Sequence, residues 1–413
     1  MRTLDDLIRL GPLLALAFVS AAVLAFALTP AIRSLAIRFG FVDHPDDRRV
    51  NTRPVPRAGG LAVAGSFLIV ASLATIAALG DLIDVRVGLE SGQIAALLVG
   101  GALAAVIGLL DDVFQLRARW QMLGQVGIAL FAVGLGIDVA FVANPFGEGI
   151  IPFHGWVAVG FTVFWIAGMI NSINFIDGLD GLSSGIGLIA ALTLAVISLT
   201  AAITQPLVAV YCLALAGALL GFLRWNFHPA AIFAGTSGTM FLGYTLALLA
   251  ILGTAKVAVA LLVLGVPILD TFWIIVRRLA SGRPPFSPDR GHIHHRLLDL
   301  GLSHTQTVVL IYVLCAALAA MSLVLTGADQ IYAFVGLGLV FGFALLLLAR
   351  ATGEDSFEAD AYEPTQPGDA EPARAPAPTR AVGPGRAEAA IPLERTEYTD
   401  PVRIGPQGHE AGR

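Results

Sequence analysis

The stretch Trp156-Val-Ala-Val-Gly-Phe-Thr-Val-Phe-Trp-Ile-Ala-Gly-Met-Ile-Asn171-Ser-Ile-Asn174-Phe-Ile-Asp177-Gly178-Leu-Asp180-Gly181-Leu182 joins an apolar run to a dense polar cluster. The run from Trp156 to Ile173 is close to the ~20 residues that a helix needs to cross a bilayer. The twelve residues from Asn171 to Leu182 then hold two amides, two carboxylates and two glycines. Such groups at the end of a membrane segment are costly unless they face water, a partner or a ligand. The glycines permit tight turns and close backbone approach. If the segment is helical, Asp177 and Asp180 share a face at spacing i, i+3. Oxygen donors of this kind suit Mg²⁺, which is commonly held by one or two carboxylates together with substrate phosphates. The cluster therefore predicts a metal-phosphate site at a membrane surface. A lone Asp-Gly would read as a polar cap and turn; the whole cluster does not.

The rest of the chain supports a membrane setting. Of its 413 residues, 56% are hydrophobic and 13% charged, with a mean hydropathy of +0.80. Soluble domains carry about 25% charged residues. The expected fold is all-α: a polytopic integral membrane protein of about eleven transmembrane helices. The spans fall at 11–29, 59–79, 92–110, 121–141, 156–174, 182–201, 206–223, 237–252, 255–276, 305–326 and 331–349. The first run lacks a small-residue cleavage site and reads as a span rather than a signal peptide. Cys212 and Cys315 lie inside apolar runs and form neither a disulfide framework nor a zinc pattern. Residues 1–350 make up the membrane domain. Residues 351–413 are rich in proline, alanine and charge, and read as a disordered cytoplasmic tail.

Charge gives the orientation. Arg33, Arg38, Arg48, Arg49, Arg53, Arg57, Arg117, Arg119, Arg224, Arg277, Arg278, Arg283, Arg290 and Arg296 all fall on one side of the eleven-span scheme, and the opposite loops between spans hold only Arg86 and Lys256. Basic loops mark the cytoplasmic side. The scheme predicts a multi-pass protein of the cell (inner or plasma) membrane with every polar cluster on the cytoplasmic face. A transporter is disfavoured, because transporters place such residues near the bilayer midplane on broken helices.

Three further clusters share that face. Asp111-Asp112 ends the third span, and two adjacent carboxylates call for a cation or a shared proton. Gly235-Thr236-Ser237-Gly238-Thr239 opens the eighth span; it reads either as a plain N-cap or as a helix N-terminus ready for an anion. His292-Ile-His294-His295-Arg296 follows the ninth span, where histidines flanked by arginines suit phosphate binding.

Together these motifs resemble the polyprenyl-phosphate N-acetylhexosamine-1-phosphate transferases, glycosyltransferase family 4. The resemblance runs from Asp43 to Gly301. It rests on Pro56-Arg57-Ala-Gly59-Gly60, Leu110-Asp111-Asp112, Asn171-x-x-Asn174-x-x-Asp177-Gly-x-Asp180-Gly-Leu, Asn226-x-x-Pro229-Ala-x-x-Phe233 and Asp289-Arg290-x-His292-Ile-His294-His295-Arg296-Leu. The His-Ile-His-His form is similar to the branch that uses UDP-N-acetylglucosamine. The resemblance implies transfer of a sugar-1-phosphate from a UDP-sugar to undecaprenyl phosphate, release of UMP, and Mg²⁺ as cofactor. Its place would be the first membrane step of a cell-envelope glycan, such as lipopolysaccharide or a teichoic acid linkage. It implies Asp111, Asp112, Asp177 and Asp180 as catalytic carboxylates, and Asn174 beside the metal. Arg57, Asn171, His292, His294, His295 and Arg296 would bind substrate. The partners implied are the two substrates and membrane lipid, with no nucleic acid; a homodimer is compatible with the resemblance.

One position departs from it. The family has Gly-Asp-x-Gly before the eighth span, with that Asp as principal metal ligand, and here Thr236 stands in its place. Three readings stay open: the other carboxylates hold the metal with Asn174, the branch tolerates Thr, or the chain is a non-catalytic binder of lipid phosphate or nucleotide sugar with a degenerate metal site.

Overall fold

The computed structural model describes residues 2–43, 54–83, 85, 87–144, 146–147, 149–200, 205–253, 257–280, 282 and 292–351. Residues 352–413 of the proposed tail, Asp289-Arg290, and Arg48, Arg49, Arg53, Arg86, Lys256 and Arg283 lie outside these residues. The described chain is an all-α polytopic membrane protein. Its helices are α1 (Arg2–Arg38), α2 (Gly60–Leu79), α3 (Ser91–Phe114), α4 (Ala118–Gly134), α5 (Trp156–Ile176), α6 (Leu182–Ser198), α7 (Pro206–Asn226), α8 (Gly235–Leu252), α9 (Val257–Val263), α10 (Gly265–Ala280), α11 (Ile293–Asp299), α12 (His304–Val324) and α13 (Ala328–Ala351).

Each expected apolar segment coincides with a helix or, for 255–276, with the pair α9 and α10, which meet at a bend of 83°. The count of eleven spans is not reached on length and composition. Among the described residues, seven helices are long and apolar enough to cross a membrane, or eight if the bent pair is one span. Helices α4 and α6 stop at seventeen residues each. The sequence reading carried the α4 segment to residue 141, but the chain turns at Gly136, where φ is +87°, and enters a strand. Helix α1 in turn outruns its expected bounds at both ends.

Two short antiparallel hairpins were not anticipated. Strand β1 (Val42–Asp43) pairs with β2 (Val55–Pro56), and β3 (Phe141–Ala143) with β4 (Ile150–Pro152). The first sets Arg57 beside the helix ends.

Local chemistry explains where several helices begin. Pro206 opens α7 at the first turn, where its missing N–H costs nothing. Ser303 and Gln306 cap α12 reciprocally: each accepts from the other's backbone N–H, at 3.3 Å and 2.9 Å. The core is built from α7 and α8, packed against α1, α3, α5 and α6. Small residues bring backbones together there. A Cβ on Gly60 would overlap the backbone of Gly238, and one on Gly108 would overlap Thr236 O and lie 2.5 Å from Ser237 Cα. Thus α2, α3 and α8 meet almost backbone to backbone, at the N-terminus of α8. Tyr244 of α8 crosses to donate its hydroxyl to Ala96 O at 2.8 Å, satisfying a polar group that is otherwise buried.

Candidate active site

One cavity of about 450 Å³ opens where the C-terminal ends of α3, α5 and α7 meet the N-terminal ends of α8 and α12. Among the sequence-predicted residues, Arg57, Asp112, Asn174, Asp177, Asp180 and His295 line it. Four further groups that were not selected also line it: Asp43, Asn226, His228 and His304.

Asp112 comes from α3 but serves α8. Its two carboxylate oxygens accept the N–H groups of Thr236 at 2.8 Å and Ser237 at 2.9 Å. These are N–H groups that a helix's first turn leaves without intrahelical partners. Helix α8 has no cap from its own Ala234, so the carboxylate from α3 fills the anion position. Gly235, at φ +72°, leaves room for it: a Cβ there would lie 2.6 Å from Asp112 Oδ2.

Asp177 ends α5. Its Oδ1 accepts the Ser183 hydroxyl at 2.5 Å. Burial pushes its carboxyl up to about 7, with the charges of Asp112 and Asp180 adding to the rise, and Ser183 and Arg57 opposing it. Asn174, one turn earlier, accepts from Thr239 of α8 at 2.8 Å through its Oδ1. Asp180 Oδ2 accepts the Ala230 N–H at 3.0 Å and lies 2.8 Å from His228 Nδ1, and the Asp180 N–H donates to His304 Nε2 at 3.2 Å. Arg57 reaches across the first hairpin to form an ion pair with Asp43.

The remaining predicted residues do not line the cavity. Asp111 turns to the start of α4, where its Oδ1 accepts the Leu116 N–H at 3.0 Å and Gln121 Nε2 at 2.6 Å. Asn171 donates to Gln125 of α4 at 2.6 Å and to Ala167 O at 2.8 Å. The histidine run belongs to a short helix: His292 is the N-cap of α11, and His294 and His295 lie in its first turn. His292 Nδ1 sits 2.7 Å from Asp270 Oδ2, while the Ile293 N–H donates to Asp270 Oδ1 at 2.8 Å. Asp270, on α10, is 0% exposed and was missed in the sequence. His294 is buried against Gly178, where a Cβ would overlap its Nε2. Neither of its ring nitrogens has a hydrogen-bond partner among the described residues, and burial holds its imidazole well below the usual histidine range. Arg296 is also buried.

Oxygen-donor chemistry fits Mg²⁺ at this cavity. Asp177, partly enclosed and crowded by two other carboxylates, is the group that a divalent cation would relieve, with Asn174 beside it. Thr236 lines the same wall; it offers a neutral hydroxyl and a backbone N–H that is already given to Asp112.

Residues 94–254 match glycosyl transferase family 4. Over 344 residues the chain is 36% identical to a Bacillus subtilis protein named as a probable undecaprenyl-phosphate N-acetylglucosaminyl 1-phosphate transferase, covering 82% of this chain and 90% of that one. It is 36% identical over 369 residues to a decaprenyl-phosphate N-acetylglucosaminephosphotransferase of Mycolicibacterium smegmatis, covering 81% and 88%. To a phospho-N-acetylmuramoyl-pentapeptide-transferase of Desulforudis audaxviator it is 30% identical over 335 residues, covering 74% and 95%. The chain belongs to glycosyl transferase family 4.

Proposed function

We propose that the protein is an enzyme that transfers N-acetylglucosamine-1-phosphate from UDP-N-acetylglucosamine to undecaprenyl phosphate, releasing UMP, on the cytoplasmic face of a bacterial inner membrane. The observation that carries this reading is the convergence of Asp112, Asn174, Asp177, Asp180, Arg57 and His295 on one cavity at the ends of apolar helices. A lipid phosphate is met at such a position, and two of the relatives named above are named for undecaprenyl phosphate and decaprenyl phosphate. An oxygen of the acceptor phosphate attacks the sugar-bearing phosphorus, and the bond to UMP breaks. Phosphoryl transfer of this kind relies on alignment and charge neutralisation. Mg²⁺, when bound near Asp177 and Asn174, supplies neutralisation for the phosphate oxygens. Asp177 would hold the cation as an ionised carboxylate, and the acceptor phosphate enters as its dianion, with no proton to move at this step. Arg57 and His295 bind donor phosphates. Asp112 fixes the α8 wall, and Asp270 orients His292. Residues 1–350 form the catalytic domain in this reading, and 351–413 a cytoplasmic tail.

Thr236 favours a second reading, a binder of nucleotide sugar or lipid phosphate that does not turn over. UMP release by purified protein, with UDP-N-acetylglucosamine and undecaprenyl phosphate, separates the two when run with and without Mg²⁺ beside T236D. Metal-dependent release by the native chain supports the transferase. Silence from the native chain with release from T236D supports the binder.

A further inference from the structure

We propose that Asp180, His228 and His304 form a second divalent-cation site, suited to a borderline transition metal such as Zn²⁺, that ties three loops together at the cavity rim. One nitrogen of each histidine and one carboxylate oxygen of Asp180 lie within 4.8 Å of one another. A tetrahedral ion with bonds of about 2.0 Å spaces its ligand atoms about 3.3 Å apart, so small side-chain rotations complete the set. The ligands are partly positioned already. Asp180 Oδ2 is held by the Ala230 N–H at 3.0 Å and lies 2.8 Å from His228 Nδ1. The two imidazoles stack with centroids 4.1 Å apart and planes 21° off parallel, so one ring must turn to aim its in-plane lone pair at a shared ion. His304 Nδ1 is buried and finds no hydrogen-bond partner among the described residues, while its Nε2 accepts the Asp180 N–H at 3.2 Å.

The donor set decides the metal. Two imidazoles and one carboxylate suit zinc and its neighbours, whereas Mg²⁺ prefers oxygen donors and water. Asp177 and Asn174 offer only oxygens, so the two donor sets differ in kind though they share one cavity. Three protein ligands leave a tetrahedral ion one open position, and all three residues line the cavity. The ligands come from the α5–α6 turn, the α7–α8 loop and the first residue of α12, segments far apart in sequence. An ion there would cross-link three helix ends. The proposal does not depend on the transferase reading, because binding is measured without substrate.

The test uses the full-length protein in detergent, stripped with EDTA and titrated with Co²⁺. The expected result is one equivalent bound, visible absorption bands of a low-coordinate cobalt site, displacement by Zn²⁺, and no displacement by a large excess of Mg²⁺. H228Q and H304Q should each weaken binding at least about tenfold, the loss that even outer-shell changes produce at metal sites. H295Q should leave it unchanged. Zinc-edge X-ray absorption of the native chain should show two imidazole ligands, a measurement that needs no variant to fold. Absence of stoichiometric Co²⁺ binding by the native chain would overturn the proposal, as would binding that survives H304Q or is lost in H295Q.

Discussion

Asp112→Asn tests the account of the α8 wall. The carboxylate accepts two backbone N–H groups, at 2.8 Å and 2.9 Å, from a helix with no cap of its own. An asparagine keeps one acceptor oxygen, loses the charge, and sets an NH₂ donor against one of those N–H groups. Hydrogen bonds to a charged partner contribute about 1.5–3 kcal/mol each, so the loss of one should weaken the first turn of α8 by about that amount. The effect is local, and hydrogen–deuterium exchange reads it directly. At about 1.4 kcal/mol per factor of ten, exchange across Thr236–Thr239 should quicken about 10- to 150-fold. D111N is the matched control. Its partners are Leu116 and Gln121, so exchange should rise at the start of α4 and not in α8. If D112N leaves Thr236–Thr239 within about twofold of the native rate, the in-trans cap is not what holds that helix end. Equal effects of D111N and D112N on α8 would refute the assignment of the two carboxylates to different helices.

Asp177 gives a pH signature. Its folded-state value, about 7, lies above the ordinary carboxylate value; the bound proton therefore stabilises the fold. That contribution is fully present below the ordinary value and is lost as pH rises through about 7. Melting temperature in EDTA should fall between pH 5 and pH 8, and D177N should flatten the slope. Because cation binding requires the ionised carboxylate, apparent Mg²⁺ affinity should weaken about tenfold per pH unit below 7 and level off above it, as isothermal titration would show. Gly60→Ala forces a Cβ into the backbone of Gly238, and melting should report a loss of about 1–3 kcal/mol. Asp270→Asn removes the carboxylate that orients His292; kcat/KM for UMP release should fall about tenfold or more, and H292Q should add little on top of it.

Local pattern carried the sequence reading as far as local pattern reaches. Long apolar runs marked every helix that is long and apolar enough to cross a membrane, though eleven spans were read where seven or eight qualify, and the spacing of Asn174, Asp177 and Asp180 marked a wall of the cavity. What it missed has geometric causes. Neighbours on a helix point about 100° apart, so Asp111 and Asp112 face different helices although they read as one pair. The same rotation divides His294, buried against Gly178, from His295 on the cavity wall. Asp270 meets His292 across 22 positions of sequence, and no periodicity links them. The 83° bend between α9 and α10 hides inside a run whose hydropathy looks continuous. His228 lies just past the seventh apolar run, and His304 gave no signal beyond being a histidine at a helix start.

Four carboxylates line the cavity, Asp43, Asp112, Asp177 and Asp180, and Arg57 is its one arginine among the described residues. Both proposed substrates are anions. A cation and a phosphate entering this cavity must therefore help each other, and thermodynamic linkage makes the help reciprocal: whatever factor the metal adds to phosphate affinity, phosphate adds to metal affinity. Such couplings typically amount to about 5- to 150-fold. Starved of metal, the cavity would turn away the very molecules it is shaped for, and the supply of divalent cation would act as a throttle on the proposed transfer.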